Sequence, residues 1–216
     1  KSDIIKSDEC LLCEGYTDVI AMHQAGMTNA VSSSGTSLTR EQIRLISRYT
    51  KNITILYDGD AAGIKASFRG IDLILEEGLN VKVLLFPDGE DPDSYAKKTS
   101  KEDLAQFIEQ SRLDFIAFKA GILIHEAASD PLQKAKLIKE IIYSISLIPD
   151  PITRSIYVKE IALNYALEEA MITSEVARLR SGKAANEIGE AWLKDTPAFQ
   201  EVPVDKPLEL NRIHAS

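Results

Sequence analysis

Acidic residues follow three apolar runs of the chain, each at the point where the run ends. They are Glu14 after CLLC, Asp58 and Asp60 after NITILY, and Asp88, Glu90, Asp91 and Asp93 after VKVLLF. Two unit charges about 4 Å apart repel by about 4 kcal/mol at an effective dielectric constant near 20. A cluster of carboxylates therefore needs protons, basic partners or divalent cations, and a set of carboxylate oxygens suits Mg²⁺ or Mn²⁺. Lys65 and Arg69 are the first basic residues after Asp58 and Asp60.

The elements that would position these acids alternate along the first half of the chain. Strands are predicted at about 9–14, 29–35, 52–57 and 81–86, and the run at 52–57 is rich in β-branched residues. Amphipathic helices separate them, and this order predicts an α/β fold, Rossmann-like, with a mainly parallel sheet of about four strands. The carboxyl ends of parallel strands share one edge of the sheet, so the acids are expected to converge there.

Local capping signals set the predicted helix boundaries. In the first half, Thr17 is predicted to cap the first crossover helix, and Thr39 with Gln42 forms a capping-box pattern. The second half is predicted to be a helical bundle, with helix starts at Ser100, Asp130-Pro131, Asp150-Pro151 and Ser174. The predicted organisation is a catalytic domain over 1–99, a helical subdomain over 100–182 and a tail or linker over 183–216, where three prolines occur.

Composition restricts the function classes. The formal net charge is −8 over 216 residues, so the surface as a whole does not indicate nucleic-acid binding. No apolar run is long enough to cross a membrane, which predicts no membrane partner. Cys10 and Cys13 form a single C-x-x-C inside a predicted strand, and no second such pair follows. They are interpreted as buried thiols, and no zinc is expected in this chain.

Four segments together carry a family resemblance. They are LLCEGYTDVIAMHQAG, VSSSGTSLT, ILYDGDAAGIKA and FPDGEDPDSY. In order and spacing they resemble the Toprim domain of bacterial DNA primases of the DnaG type, over about residues 8–96 and extending through the helices to about 182. Toprim domains in general share the glutamate and the Asp-x-Asp. The EGYTD and PDGEDPD segments resemble primases rather than topoisomerases or nucleases.

The resemblance implies roles for individual residues. Glu14, Asp58 and Asp60 match the catalytic positions, and Glu14 would bind metal or transfer a proton. The implied metal ligands are Glu14, Asp18, Asp58, Asp60, Asp91 and Asp93. The implied nucleotide or phosphate contacts are Gly35, Thr36, Ser37 and Lys65; a polar loop and a solvated helical lysine stay open as alternatives for these four.

The implied activity is that of a nucleotidyltransferase that makes short RNA primers on a single-stranded DNA template from ribonucleoside triphosphates, with two or more Mg²⁺ or Mn²⁺ ions. The chain is expected to be a monomeric catalytic-core fragment from the bacterial cytoplasm, acting at the replication fork. A zinc module and a basic subdomain are expected outside it, and a C-terminal helicase-binding domain is expected beyond Ser216. We therefore expect little or no primer synthesis by this chain alone.

Other functions remain open from the residues. A haloacid-dehalogenase-like phosphatase also ends a strand in Asp-x-Asp, but it usually carries Thr or Val where this chain has Ala62. A response-regulator receiver would need a later strand-end lysine, which VLLFPDGED does not offer. A Toprim nuclease and a non-catalytic docking module for nucleic acid or helicase are further alternatives.

Overall fold

The structure, a computed structural model, describes residues 1–33, 37–58, 61–87, 89–127 and 130–182, with the backbone alone at 61–67 and 122–127. The described strands form one five-stranded sheet in the order β2-β1-β3-β4-β5. Their bounds are β1 Cys10–Cys13, β2 Ala30–Ser32, β3 Asn52–Tyr57, β4 Asn80–Leu85 and β5 Leu113–Asp114. The first four are parallel to one another, and β5 pairs antiparallel with β4. The α/β fold with a mainly parallel sheet is thus confirmed, with one short strand added at its edge.

Helices cover both faces of this sheet and continue beyond it. Their bounds are α1 Ser2–Ser7, α2 Tyr16–Gln24, α3 Arg40–Ile46, α4 Ala61–Glu76, α5 Pro92–Lys98, α6 Lys101–Ser111, α7 Phe115–Ala127, α8 Pro131–Leu147, α9 Pro151–Tyr165 and α10 Glu169–Arg180. In the part of the chain that the structure describes, none of these helices is long and apolar enough to cross a membrane.

Side chains of the strands alternate between two separate hydrophobic cores, because successive residues of a strand point to opposite faces. Leu11, Cys13, Leu56 and Leu84 belong to the smaller core, which also contains Ala21 and Met22 of α2. Cys10, Leu12, Ile55 and Val83 belong to the larger core, which also contains residues of α3, α4 and α7–α10. Both cysteines are buried and free, as predicted. Burial raises the pKa of the Cys10 thiol to about 12, so it stays protonated near neutral pH.

The predicted caps are confirmed where the capping group is local. The Thr39 hydroxyl accepts a hydrogen bond from the Gln42 N–H at 3.3 Å, and the Gln42 side chain accepts one from the Thr39 N–H at 2.9 Å. Ser100 caps α6, and Asp130 and Asp150 cap α8 and α9 with proline at the first helical position. These side chains satisfy N–H groups that the first turn of a helix leaves without a partner.

Three boundaries differ from the prediction. Helix α2 is capped by Gly15 rather than Thr17, because the Asp18 carboxylate reaches back to the Gly15 N–H. Helix α10 begins at Glu169, well before the predicted start near Ser174. The apolar segment after residue 112 first forms β5 and only then becomes α7. The β5 boundary follows from antiparallel pairing of Leu113 and Asp114 with β4.

The helical second half shares the larger core with the sheet. Phe115, Ile141 and Ile145 belong to the same buried cluster as Ile55 and Val83. The Asp114 carboxylate in β5 accepts hydrogen bonds from the Ile116 N–H and the Tyr157 hydroxyl, both at 2.9 Å. The division at residues 99 and 182 stays a prediction, although side chains from both of the first two segments fill one core.

Candidate functional site

The strand register places Glu14 and Asp58 at the same edge of the sheet. Leu12 of β1 pairs with Ile55 of β3. From these paired residues, β1 continues for one residue and β3 for two. The crossover helix α2 lies on one face of the sheet, whereas α3 and α4 lie on the other. The crossover direction therefore reverses between β1 and β3, and such a switch point is where open α/β sheets bind ligands. Glu14 and Asp58 flank this switch point.

The charges of Glu14 and Asp58 affect the pKa values of two buried neighbours, Tyr57 and Cys13. Burial raises the pKa of the Tyr57 hydroxyl, and the Glu14 charge raises it further. Burial likewise raises the pKa of the Cys13 thiol, and the charges of Asp18 and Asp58 add to that effect. Glu14 is exposed and Asp58 is half-buried. The structure thus brings Glu14, Asp18 and Asp58 to one edge, as the sequence predicted.

Asp18 is buried and acts first as part of a helix cap. Its carboxylate accepts the Gly15 N–H at 3.0 Å, and the backbone N–H of Asp93 also bonds to it. A Cβ atom on Gly15 would lie 3.2 Å from the Asp18 carboxylate, so this turn favours glycine. Burial raises the pKa of Asp18, the hydrogen bond from Gly15 opposes that rise, and the charges of Asp91 and Asp93 support it.

The acidic segment after β4 folds into the first turn of α5. The Asp91 carboxylate accepts the Ser94 N–H at 2.6 Å, and the Ser94 hydroxyl donates to Glu90 at 2.5 Å. Because Asp91 caps α5 at its amino end and α5 packs against α2, Asp91 and Asp93 come close to Asp18. The structure therefore joins the second acidic pair to the edge that carries Glu14 and Asp58.

Two lysines at the end of α5 were missed in the sequence analysis, which named only Lys65 and Arg69 as nearby cations. Lys97 pairs with Asp93 at 2.5 Å, and Lys98 pairs with Glu90. The signal was the i, i+4 spacing of Asp93 and Lys97 on one helix. These pairs are exposed, so they offset part of the local negative charge without burying it.

Several predicted site residues lie outside the described part of the chain. They are Asp60, Gly35 and Thr36, together with the side chain of Lys65. Ser37 is described; it is exposed and precedes the Thr39 cap of α3. Their assignment to the site therefore remains a prediction.

The donor chemistry of the edge fits a divalent cation. Carboxylate oxygens are the ligands that Mg²⁺ and Mn²⁺ prefer, and burial beside other acids makes uncompensated charge costly. Among the described residues, no group of three or more His, Cys, Asp or Glu side chains is arranged to hold a metal ion. Asp60, the predicted partner of Asp58, lies outside that set. The cation therefore stays a prediction supported by donor type and position.

Comparison with known proteins gives the family. Residues 11–96 match the family model described as Toprim-like. The DNA primase of Staphylococcus epidermidis is 33% identical over 211 residues, which cover 97% of this chain and 34% of that protein. The DNA primase of Halalkalibacterium halodurans is 36% identical over 189 residues, covering 87% of this chain and 32% of that protein. The chain thus spans about one third of the length of these curated relatives.

Solved structures agree with the sequence relatives. A DNA primase domain from Pseudomonas aeruginosa matches with a TM-score of 0.70 and 28% identity, covering 83% of this chain and 57% of that one. A structure of the DnaG catalytic core matches with a TM-score of 0.66 and 31% identity, covering 76% of this chain and 54% of that one. The chain belongs to the bacterial DNA primases of the DnaG type. The resemblance predicted from the four sequence segments is confirmed.

A second family model matches this DnaG-type chain at residues 128–165, and its description is the DnaB-helicase binding domain of primase. The sequence analysis had expected such a domain beyond Ser216. The matched region includes all of α8 and α9, which also contribute to the larger core beside the sheet. The sequence analysis missed this match because it interpreted these helices as parts of a helical bundle and expected the helicase-binding domain elsewhere.

Proposed function

We propose that this chain forms the Toprim part and the following helices of a primase catalytic core. In the complete protein it would take part in the synthesis of RNA primers on single-stranded DNA from ribonucleoside triphosphates. The observation that carries this proposal is the position of Glu14 and Asp58 on either side of the switch point between β1 and β3. In a DnaG-type chain, that edge is where the reacting phosphate groups would bind.

The acidic residues at this edge of the sheet would have different roles. Glu14, Asp58 and Asp60 would hold Mg²⁺ or Mn²⁺, with Asp91 and Asp93 as further ligands after release from the α5 cap and from Lys97, respectively. When bound, the cations would stabilise negative charge on the phosphoryl group and on the leaving pyrophosphate. Asp18 would keep the Gly15 turn in place, because its carboxylate already accepts the Gly15 N–H. Gly35, Thr36, Ser37 and Lys65 would contact the nucleotide phosphates.

The partners follow from charge and from the second family match. With a net charge of −8, this chain alone would bind a DNA template weakly, because template affinity depends on Lys and Arg contacts to phosphates. We therefore expect little or no primer synthesis by the 216-residue chain alone. Residues 128–165 would contact the replicative helicase. We further propose that the chain is a monomer and works in the bacterial cytoplasm at the replication fork.

The test is primer synthesis by a full-length primase that contains this chain. Glu14→Gln and Asp58→Asn are each expected to lower the rate by at least about 100-fold, because each removes a charge aimed at the transferred group. The matched control is Asp8→Asn at the opposite end of the strands, which should keep the rate within about 3-fold if the variant is folded. Normal synthesis by Asp58→Asn would contradict the proposal.

A further inference from the structure

A fully buried lysine joins the sheet-covering helix α4 to the helical second half. Lys119 of α7 has no exposed side-chain surface. Its ammonium group donates to Asp72 at 3.1 Å, to Glu140 at 3.2 Å and to the Ser144 hydroxyl at 2.6 Å. The Ser144 hydroxyl in turn donates to Asp72 at 2.6 Å. We call Asp72, Lys119, Glu140 and Ser144 the Lys119 cluster.

The Lys119 cluster connects three helices that are far apart in sequence. Asp72 lies on α4, Lys119 on α7, and Glu140 and Ser144 on α8. The ammonium group also lies 4.8 Å from the centre of the Phe68 ring, which belongs to α4. The surrounding side chains are apolar and buried, including Ile71 and Ile141. The cluster is therefore a set of polar contacts at a largely apolar helix interface, near the partly buried Tyr143.

Burying these charges costs desolvation free energy, and this cost can exceed the attraction between the paired charges. Burial raises the pKa of Glu140, and the nearby Lys119 charge opposes that rise. Apolar side chains of similar size would fill the same space without this cost. Stability alone therefore gives no reason for a lysine with three polar partners at this interface.

The axial position of α4 relative to α7 and α8, which we call its register, gives a reason for the Lys119 cluster. Apolar contacts between helices are non-directional, so α4 could slide by one turn, about 5.4 Å, and still bury its Ile and Phe residues. After such a slide Lys119 would lose Asp72, and a buried charge without its partners is strongly unfavourable. The cluster thus penalises every register of α4 except the observed one.

The register of α4 matters because α4 begins at Ala61, three residues after Asp58. Asp72 is on the order of 16 Å along the helix from that start, at 1.5 Å per residue. We propose that Lys119 is a positioning residue: it fixes the register of α4, and thereby the place of the α4 start three residues after Asp58, while strand pairing holds the β3 end itself. The consequence for cation binding rests on the proposed function, whereas the register itself does not.

The experiment compares the 216-residue chain with a variant that replaces the cluster by apolar side chains, Asp72→Leu, Lys119→Met, Glu140→Met and Ser144→Ala. Spin labels are attached at Arg69→Cys on α4 and Lys139→Cys on α8, both exposed positions. Cys10 and Cys13 are buried, and burial raises the pKa of both thiols, so they should not react with the label. Pulsed electron paramagnetic resonance measures the label-to-label distance, and Mn²⁺ titration measures cation binding.

The unchanged cluster should give one narrow distance. The apolar variant should remain folded but give a broadened or double distribution, with populations separated by about 5 Å, and should bind Mn²⁺ about 10-fold more weakly. A matched control, Arg40→Met with Glu76→Met, removes an exposed ion pair of α4 and should change neither measurement. Lys119→Met alone should unfold at lower denaturant concentration than the apolar variant, because it leaves the buried Glu140 and the partly buried Asp72 without their cation.

The two measurements test the register of α4 and the proposed cation site independently. One narrow, unchanged distance in the apolar variant would overturn the register role of the Lys119 cluster. A changed distance with unchanged Mn²⁺ affinity would overturn the positioning role toward the sheet edge. Absence of Mn²⁺ binding by the unchanged chain would contradict the proposed cation site, whereas the distance measurement would still decide the register.

Discussion

The two ends of the same parallel strands hold their acidic side chains in different ways. At the amino end, Asp8 accepts the Thr50 hydroxyl at 2.9 Å, and Glu9 accepts the Thr54 hydroxyl at 2.6 Å and pairs with Arg112. These contacts join residues 42 to 103 positions apart in sequence. At the carboxyl end, most hydrogen bonds of the corresponding acids close within one or two helical turns.

This carboxyl-end group consists of Asp18, Glu90, Asp91 and Asp93, which bond mainly within helix caps or to lysines of α5. Such local contacts can be exchanged without separating the strands, whereas the contacts of Glu9 cannot. The difference indicates that the amino end stabilises the sheet and that the carboxyl end is available to a ligand. The following predictions test that division, beginning with the largest expected effect.

Glu9→Gln should destabilise the fold by about 1.5–3 kcal/mol, because Arg112 is mostly buried and would lose the more buried of its two charged partners. The measurement is urea unfolding followed by circular dichroism. Glu109→Gln is the matched control, since Glu109 pairs with the same arginine but is 68% exposed. The control should cost less than about 0.5 kcal/mol. Equal losses of unfolding free energy in the two variants would show that burial of the Glu9 pair adds nothing to its stabilising effect.

Asp58→Asn should have the opposite effect: it should weaken cation binding and leave the stability of the fold nearly unchanged. Mn²⁺ affinity of the chain should fall by at least about 10-fold, because a charged oxygen ligand is lost at the switch point. The free energy of unfolding without cation should change by less than about 1 kcal/mol. Glu9→Gln should leave Mn²⁺ affinity unchanged. A variant of Asp58 that loses stability and keeps Mn²⁺ binding would contradict the division between the two ends.

The same contrast explains what could be predicted from sequence. The caps at Thr39, Ser100 and Asp150 depend on residues three positions away, and each was predicted correctly. The pairing of Glu9 with Arg112 needs a contact across 103 positions, which no local pattern encodes. The edge with Glu14 and Asp58 was predictable because parallel strands by themselves bring their carboxyl ends together.

Within one helix, a local signal can still be overridden. Thr17 has the residue type of an N-cap, yet the cap of α2 lies two residues earlier, at Gly15, because Asp18 bonds back to Gly15. The Lys119 cluster was not predictable at all, since Asp72, Lys119 and Glu140 meet only after three helices have packed. Sequence reasoning therefore found the site edge better than it found the contacts that support it.

Asp18→Asn should alter the pH dependence of stability. Burial raises the pKa of Asp18, so the folded chain holds this proton more tightly than the unfolded chain does. The free energy of unfolding should therefore fall as pH rises from the ordinary aspartate range through the raised pKa. The asparagine variant should show a shallower fall over that range in urea titrations at several pH values. A steeper fall would contradict the assigned direction.

Asp93→Asn should have the smallest effect on the fold. Its partner Lys97 is 65% exposed, and an exposed i, i+4 pair contributes at most about 0.5 kcal/mol. Thermal unfolding at low and high salt measures that contribution, which should vanish at high salt because surface charges are screened. Lys97→Met is the matched control and should give the same small change. A loss above about 1.5 kcal/mol from Asp93→Asn would mean that the carboxyl end also stabilises the sheet, since Asp93 would then act through more than its exposed lysine.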